Sequence, residues 1–259
     1  MRTTAPAGTQ SVLRTVRLLK VVAERKEIGW RLTDLAAHCG LDKSTTYRLL
    51  ACLTSQRMLA QRVEDKRYVP GPLLYELSLS LPSYADFRDS VRPHLQDLSQ
   101  RLKGTAFLYL LAGDEVICID RVGATHPPPL TGIGTRRPIR QSTFGVAMML
   151  AMAAPRQKQI MKQGIGEVPA GRASAYRKIL QQSRRYGFGV NMNDIVPGLS
   201  CVAVPLFRQD GKTPFASLGV MAPSTDFVES RFRSIAKLVA GEARRIEAEY
   251  QHLIADFYL

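Results

Sequence analysis

Two short helical patterns meet at a glycine near the start of the chain, and that junction constrains the fold more than any other stretch. Leu32-Thr33-Asp34-Leu35-Ala36-Ala37-His38-Cys39 carries a narrow apolar stripe at Leu35, Ala36 and Cys39. Thr33 is placed to cap its start, and Gly40 suits the left-handed residue that ends a helix. Asp42 then caps a further helix reaching Leu53, with Leu49, Leu50 and Leu53 facing inward. Two helices joined by a turn as tight as Gly40-Leu41 form a helix-turn-helix. Upstream, Val12, Val16, Leu19 and Val22 recur at helical spacing and make one apolar face of a first helix. Downstream, residues 58–63 and 67–69 read as strands around the polar turn Glu64-Asp65-Lys66, and such a hairpin is a wing.

The remaining chain is mixed. Residues 1–10 are small and polar and read as a frayed tail, 11–71 as the winged helix-turn-helix, and 72–84 as a linker helix. The exposed leucines of that linker need a partner, either the second domain or another subunit. Residues 85–259 then alternate helices (87–102, 143–152, 172–186, 227–250) with strands (105–111, 115–121, 187–190, 200–207, 214–221). The fold class expected is α+β: a small winged domain, a linker helix, and a sheet with flanking helices large enough to enclose a pocket.

Composition narrows the function. With 45% hydrophobic and 22% charged residues among 259, a mainly disordered chain is excluded. There are 36 Lys and Arg against 22 Asp and Glu, a net charge of +14, which points to an anionic partner, nucleic acid first. The excess is densest early: residues 1–80 hold 13 basic and 7 acidic side chains, and residues 81–259 hold 23 and 15. The opening MRTTAPAGTQ has no apolar export core, and no run approaches the ~18 apolar residues of a membrane span, so a cytoplasmic protein with no membrane partner is expected. Cys39, Cys52, Cys118 and Cys201 are widely spaced and read as free, buried thiols; neither they nor the four histidines fall at metal-ligand spacing, so no metal or other cofactor is expected.

The second helix of a helix-turn-helix enters the major groove by its first turns. Those turns here are Lys43-Ser44-Thr45-Thr46-Tyr47-Arg48. Hydroxyls bond base edges or phosphates, and Lys and Arg neutralise phosphate or fork onto guanine. Lys43, Ser44, Thr45, Tyr47 and Arg48 are therefore the candidate DNA contacts, with Arg62, Lys66 and Arg67 of the wing reaching the flanking backbone or minor groove. Tyr47 is open to two readings, a contact or a half-buried aromatic.

At these residues the chain resembles the IclR family of bacterial transcriptional regulators. The likeness is carried by Ser11-Val12-Leu13-Arg14, Leu32-Thr33-Asp34-Leu35-Ala36 and Gly40-Leu41-Asp42-Lys43-Ser44-Thr45-Thr46-Tyr47-Arg48-Leu49-Leu50. It continues through Tyr68-Val69-Pro70-Gly71, Arg185-Tyr186-Gly187-Phe188-Gly189 and Gly198-Leu199-Ser200-Cys201-Val202-Ala203-Val204-Pro205, and so covers essentially the whole chain. The resemblance implies a GAF-like C-terminal effector-binding domain, a homodimer or homotetramer, and binding to double-stranded operator DNA governed by a small-molecule effector. It also implies a pocket near Thr143, Phe144, Gly145, Asn191, Cys201, Gly219 and Met221. Some members carry paired serines near Gly219 and Met221, and smaller residues at Thr143 and Phe144. The departure here implies an effector more apolar than a two- or three-carbon keto acid, such as an aromatic carboxylate or a phenol.

Met148, Met149 and Met152 at helical spacing read as core, one of Phe107 and Tyr109 faces a cavity, and His126 beside three prolines reads as an exposed loop residue. A ligand-binding enzyme is the first alternative, but the chain has no Gly-x-Ser-x-Gly elbow, no Gly-x-Gly-x-x-Gly after a strand and no base near Cys201 in sequence, so no catalytic residue is assigned. A DNA-organising protein without regulatory role is the second, and it leaves the large C-terminal domain unexplained.

Overall fold

The computed structural model describes residues 6, 8–25, 27–123, 132–164, 168 and 171–255. The His126 reading and most of the tail lie outside them. The chain divides into two compact units, Met1–Pro82 and Ser83–Leu259.

In the first unit, α1 (Gln10–Glu24), α2 (Leu32–Cys39) and α3 (Lys43–Ser55) precede an antiparallel hairpin of β1 (Leu59–Gln61) and β2 (Tyr68–Pro70). The core joins Leu18, Val21 and Val22 of α1 to Trp30, Leu35, Cys39, Leu50, Leu53, Leu59 and Tyr68. The stripe expected on α1 is therefore only half right: Leu19 and Val22 pack against the core, whereas Val12 and Val16 are exposed, as is Leu13. Helical spacing locates an apolar stripe but cannot say how far along it the neighbouring helices reach. The α2 start also differs, since Arg31 rather than Thr33 occupies the N-cap.

The turn between α2 and α3 follows from local chemistry. Gly40 adopts φ 63°, a left-handed conformation that costs glycine little. The Asp42 carboxylate accepts from the Thr45 amide at 2.7 Å and from the Ser44 hydroxyl at 2.8 Å. These bonds, the amide first, hold the Asp42 carboxyl well below the usual carboxylate range. Thr46 turns inward, its hydroxyl on the Asp42 carbonyl at 2.8 Å.

The expected single linker helix ends early. α4 runs Pro72–Ser78, and α5 begins at Pro82 and runs to Leu102. The residue before a proline is pushed out of helical conformation, so Leu81 interrupts the two and Pro82 opens the next.

The second unit is a six-stranded antiparallel sheet, ordered β5-β4-β3-β8-β7-β6, from β3 (Thr105–Ala112), β4 (Glu115–Val122), β5 (Arg136–Pro138), β6 (Gly189–Met192), β7 (Leu199–Phe207) and β8 (Pro214–Pro223). Side chains alternate between its faces. Ala106, Leu108 and Leu110 of β3, Val202, Val204 and Leu206 of β7, and Leu218 and Val220 of β8 join α5 and α9 (Phe232–Glu249) in one core. Phe107, Tyr109, Cys201, Ala203 and Met221 face the other way, against α6 (Thr143–Ala151) and α8 (Ala173–Tyr186). Met148, Met149 and Met152 belong to this second core, as their spacing suggests. Across the first core, His94 Nδ1 of α5 lies 2.6 Å from the Glu242 carboxylate of α9. α7 (Ala154–Lys162) and the short α10 (Gln251–Ala255) were not legible in sequence, and a 3-10 turn, Glu229–Arg231, stands ahead of α9.

Cys39, Cys118 and Cys201 are buried free thiols, whereas Cys52 is exposed on α3. No helix of the described residues is long and apolar enough to cross a membrane.

The Asp42 cap makes a prediction with a definite sign. A folded-state carboxyl held low contributes stability above its unfolded value near ~4, and loses it as pH falls through the folded value. Replacing Asp42 by Ala should lower the melting temperature at pH 7, and thermal melts of the two proteins should converge as the pH falls below about 4.

Candidate DNA interface and effector pocket

The first turns of α3 present a polar edge above a buried underside. Lys43, Ser44, Tyr47 and Arg48 are exposed and Thr45 is half-buried, while Thr46, Leu50 and Leu53 are buried and Leu49 packs against the core. Tyr47 is 59% exposed, so of its two readings the structure gives the surface one. Ser44 is already bonded to Asp42, which leaves its hydroxyl oxygen as an acceptor. Cys52 and Ala51 continue the exposed face without charge.

The wing arginines differ in kind from α3. Arg62 donates to the Glu27 carbonyl at 3.0 Å, to the Ile28 carbonyl and to Asp65 at 2.8 Å. The Arg67 side chain lies 3.4 Å from the Gly29 carbonyl and pairs with Asp65, also at 3.4 Å. Both guanidiniums thus tie the wing to the loop before α2. Lys66, at φ 57° in the wing turn, is exposed and carries no ion pair among the described residues.

In the second unit, a cavity of about 150 Å³ opens where the sheet meets α6. Its lining is Tyr109, Arg137, Gln141, Ser142, Thr143, Phe144, Arg172, Asn191, Ile195, Val196, Pro197, Cys201 and Met221. Five of the seven sequence candidates are there: Thr143, Phe144, Asn191, Cys201 and Met221. The other two act from behind the wall. A Cβ on Gly145 would sit 2.2 Å from the Ile139 carbonyl oxygen, so glycine lets α6 close on the preceding turn. A Cβ on Gly219 would sit 2.8 Å from the Phe144 ring and 2.4 Å from the Val202 carbonyl oxygen. The edge of the Phe144 ring thus takes the space a side chain at 219 would need.

That ring organises the wall. Phe144 stacks on Tyr109, centroids 4.3 Å apart and planes 23° apart, and meets Phe107 edge-on at 5.7 Å. Of the pair Phe107 and Tyr109, it is Tyr109 that reaches the cavity. Burial pushes the Tyr109 phenol well above its ordinary range, and pushes the Cys201 thiol up to about 12 with the Thr143 hydroxyl working against it. A thiol held neutral in this way is a soft apolar surface and a poor nucleophile.

Among the described residues the lining holds two arginines and no carboxylate. Arg172 makes no side-chain hydrogen bond or ion pair among the described residues. Ser142 gives α6 no side-chain cap, so the first amides of that helix add positive potential at the cavity wall. Asn191 is spent in part, its carbonyl oxygen accepting from the Asp194 amide at 3.0 Å. Arg137, Gln141, Arg172 and the 195–197 loop were not found from sequence. The signal available was a stretch of arginines nearly free of acids, with Arg172 just ahead of α8. Among the described residues no group of three or more His, Cys, Asp and Glu gathers as a metal site.

Residues 11–63 match the IclR helix-turn-helix domain, and residues 81–248 match the bacterial transcriptional regulator IclR C-terminal domain. The chain is 27% identical over 250 residues to the HTH-type transcriptional regulator KdgR of Escherichia coli, covering 94% of each chain. It is 25% identical to the transcriptional repressor IclR of the same species, covering 95% of this chain and 93% of that one. Among solved structures, an IclR-type regulator from Alicyclobacillus acidocaldarius superposes with TM-score 0.71 at 22% identity, covering 93% of this chain and 98% of that one. An IclR homologue from Microbacterium hydrocarbonoxydans, complexed with 4-hydroxybenzoate, superposes with TM-score 0.70 at 20% identity, over 93% and 99% of the two chains. With its helix-turn-helix and its C-terminal domain both matched, this chain belongs to the IclR family of DNA-binding bacterial transcriptional regulators.

Proposed function

We propose that this chain is a cytoplasmic, non-enzymatic regulator, acting as a homodimer or homotetramer, that reads operator DNA with the start of α3 and answers to a small aromatic carboxylate. The observation that carries the effector class is the pairing in one cavity of a stacked aromatic wall with two arginines and, among the described residues, no carboxylate. A cavity of this volume holds about one benzene-sized ring. The ring of the effector lies against Phe144, Tyr109 and Met221, and its carboxylate faces Arg172, Arg137 and the first amides of α6. The Microbacterium hydrocarbonoxydans homologue bound to 4-hydroxybenzoate supports the same class for this fold.

On DNA, Arg48 and Lys43 supply charge, Thr45 and Ser44 supply hydroxyls, and Tyr47 supplies an exposed ring with a polar tip. Lys66 reaches backbone phosphate from the wing. Arg62 and Arg67 contribute there by fixing the wing and by the charge their guanidiniums still project. A homo-oligomer is supported by apolar surface left uncovered in the first unit: Val12 and Leu13 on α1, and Tyr75, Leu77, Leu79 and Leu81 on and after α4. Two winged domains then take half-sites about one helical turn apart. Effector binding shifts operator affinity to the extent that its affinity differs between two packings of the subunits.

Two measurements test these roles. Replacing Arg48 by Ala should cost about 1–3 kcal/mol in operator affinity while leaving random-duplex affinity nearly unchanged; equal losses on both make Arg48 a phosphate contact. Calorimetric titration should show binding of benzoate-type acids, with Arg172→Ala weakening it about 10-fold or more, as expected for a lost charge-assisted hydrogen bond. Tight glyoxylate or pyruvate binding with no response to aromatic acids overturns the effector class.

A further inference from the structure

The charge of the second unit is not spread over it. Residues 136–186 contain 11 Lys and Arg and one acid, Glu167, whereas the rest of residues 81–259 holds 12 basic and 14 acidic side chains. The basic excess of the larger unit thus belongs entirely to the segment that forms α6, α7 and α8. Some of these charges have structural work. Arg156 pairs with Asp114, Lys178 with Asp194, Arg136 with Glu115, and Arg137 and Arg172 line the cavity. Four others are exposed with no ion pair or hydrogen bond of their side chains among the described residues: Lys158 and Lys162 on α7, Arg177 and Arg184 on α8.

These four form two stripes. Lys158 and Lys162 are one helical turn apart, and Arg177 and Arg184 two turns, about 10 Å, each pair on one side of its helix. On α8 that side lies about a quarter turn round from the buried Tyr176, Ile179, Leu180 and Ser183. Arg140 links the stripes. Its guanidinium lies 3.4 Å from the Met161 carbonyl, next to Lys162, and feels the charge of Arg184. Burial first, and Arg184 second, disfavour its charged form, and its buried Nε has no hydrogen-bond partner. Arg140 and Arg184 repel, while the acids at these helices, Asp114, Asp194 and Glu229, pair with Arg156, Lys178 and Arg185 instead, and such repulsion lowers the stability of the unit. A surface kept at that cost is one built for a polyanion.

We propose that this α7–α8 face, outside both the effector cavity and the helix-turn-helix, binds the phosphate backbone of duplex DNA without reading sequence. The chemistry favours a duplex over a single strand, because no aromatic side chain is exposed on these helices for a base to stack on: Tyr176 is buried and Tyr186 is half-buried on packed rings. It favours DNA over other polyanions because the chain's own family function brings it to DNA, where duplex phosphate is present at high effective concentration. A duplex offers a phosphate about every 1.7 Å of axis, so two lysines and two arginines find partners in any register.

The test measures affinity of the full-length protein for a long random-sequence duplex across a salt series. The comparison is wild type against Lys158→Gln, Lys162→Gln, Arg177→Gln, Arg184→Gln combined. Each phosphate contact contributes about 0.9 to the slope of log affinity against log salt, so the slope should become shallower by about 2–4. The charge-keeping set Lys158→Arg, Lys162→Arg, Arg177→Lys, Arg184→Lys should retain the wild-type slope. An unchanged far-ultraviolet circular dichroism spectrum and a cooperative thermal melt report an intact fold in both variants. A slope that changes by less than one in the folded neutral variant overturns the proposal, and is the result expected if the face serves an acidic protein instead. The operator preference measured through Arg48 is a separate readout, so failure of either claim leaves the other standing.

Discussion

Strict alternation along three central strands sets the architecture of the larger unit. β3, β8 and β7 lie side by side, and each sends every second side chain to opposite faces. On one face the alternate positions are aliphatic, Leu108, Val202, Leu218 and Val220 among them, and two long helices seal them into a dense core. On the other face they are Tyr109, Cys201 and Met221, which are large, soft or polar-tipped. Helices laid over such a surface do not fill it, and the void left over is the cavity. A one-residue slip of β3 would exchange the two faces and lose both the core and the pocket.

The chemistry of the pocket rests on a compensation between two positions distant in sequence. Gly219 gives up its side chain, and Phe144 occupies the vacated space and stacks on Tyr109. Each position depends on the other. A glycine in a central strand loses packing, and a phenylalanine at the start of a buried helix needs room. Together they give the cavity a wall of stacked rings. The arginines and the uncapped start of α6 supply the positive part of the same lining.

Much of this was legible in the sequence because it rests on local rules. Gly40 and Asp42 announce the turn and the cap, Leu50 and Leu53 announce the buried side of α3, and alternation announces the strands. The features that were not legible depend on neighbours remote in sequence. Val12 and Val16 have the right spacing for burial, but no second element of the same unit reaches that far along α1. Arg62 and Arg67 carry the charge expected of a wing, yet unpaired carbonyls before α2 sit close enough to claim them. Arg172 and Arg137 approach the cavity from separate elements, one ahead of a helix and one on an edge strand, and no spacing in the chain connects them.

The same distinction explains why positive charge has different meanings along this chain. A guanidinium with carbonyls or a carboxylate in reach, as at Arg62, is part of the scaffold, and its charge is largely answered within the fold. One that lines a cavity with no acid paired to it among the described residues, as at Arg172, is left open to a ligand. Net charge counts these cases alike, which is why composition indicated an anionic partner, nucleic acid first, without saying which cations would meet it. Burial and pairing separate them: cations answered inside the fold hold it together, and the unanswered ones mark where anions belong.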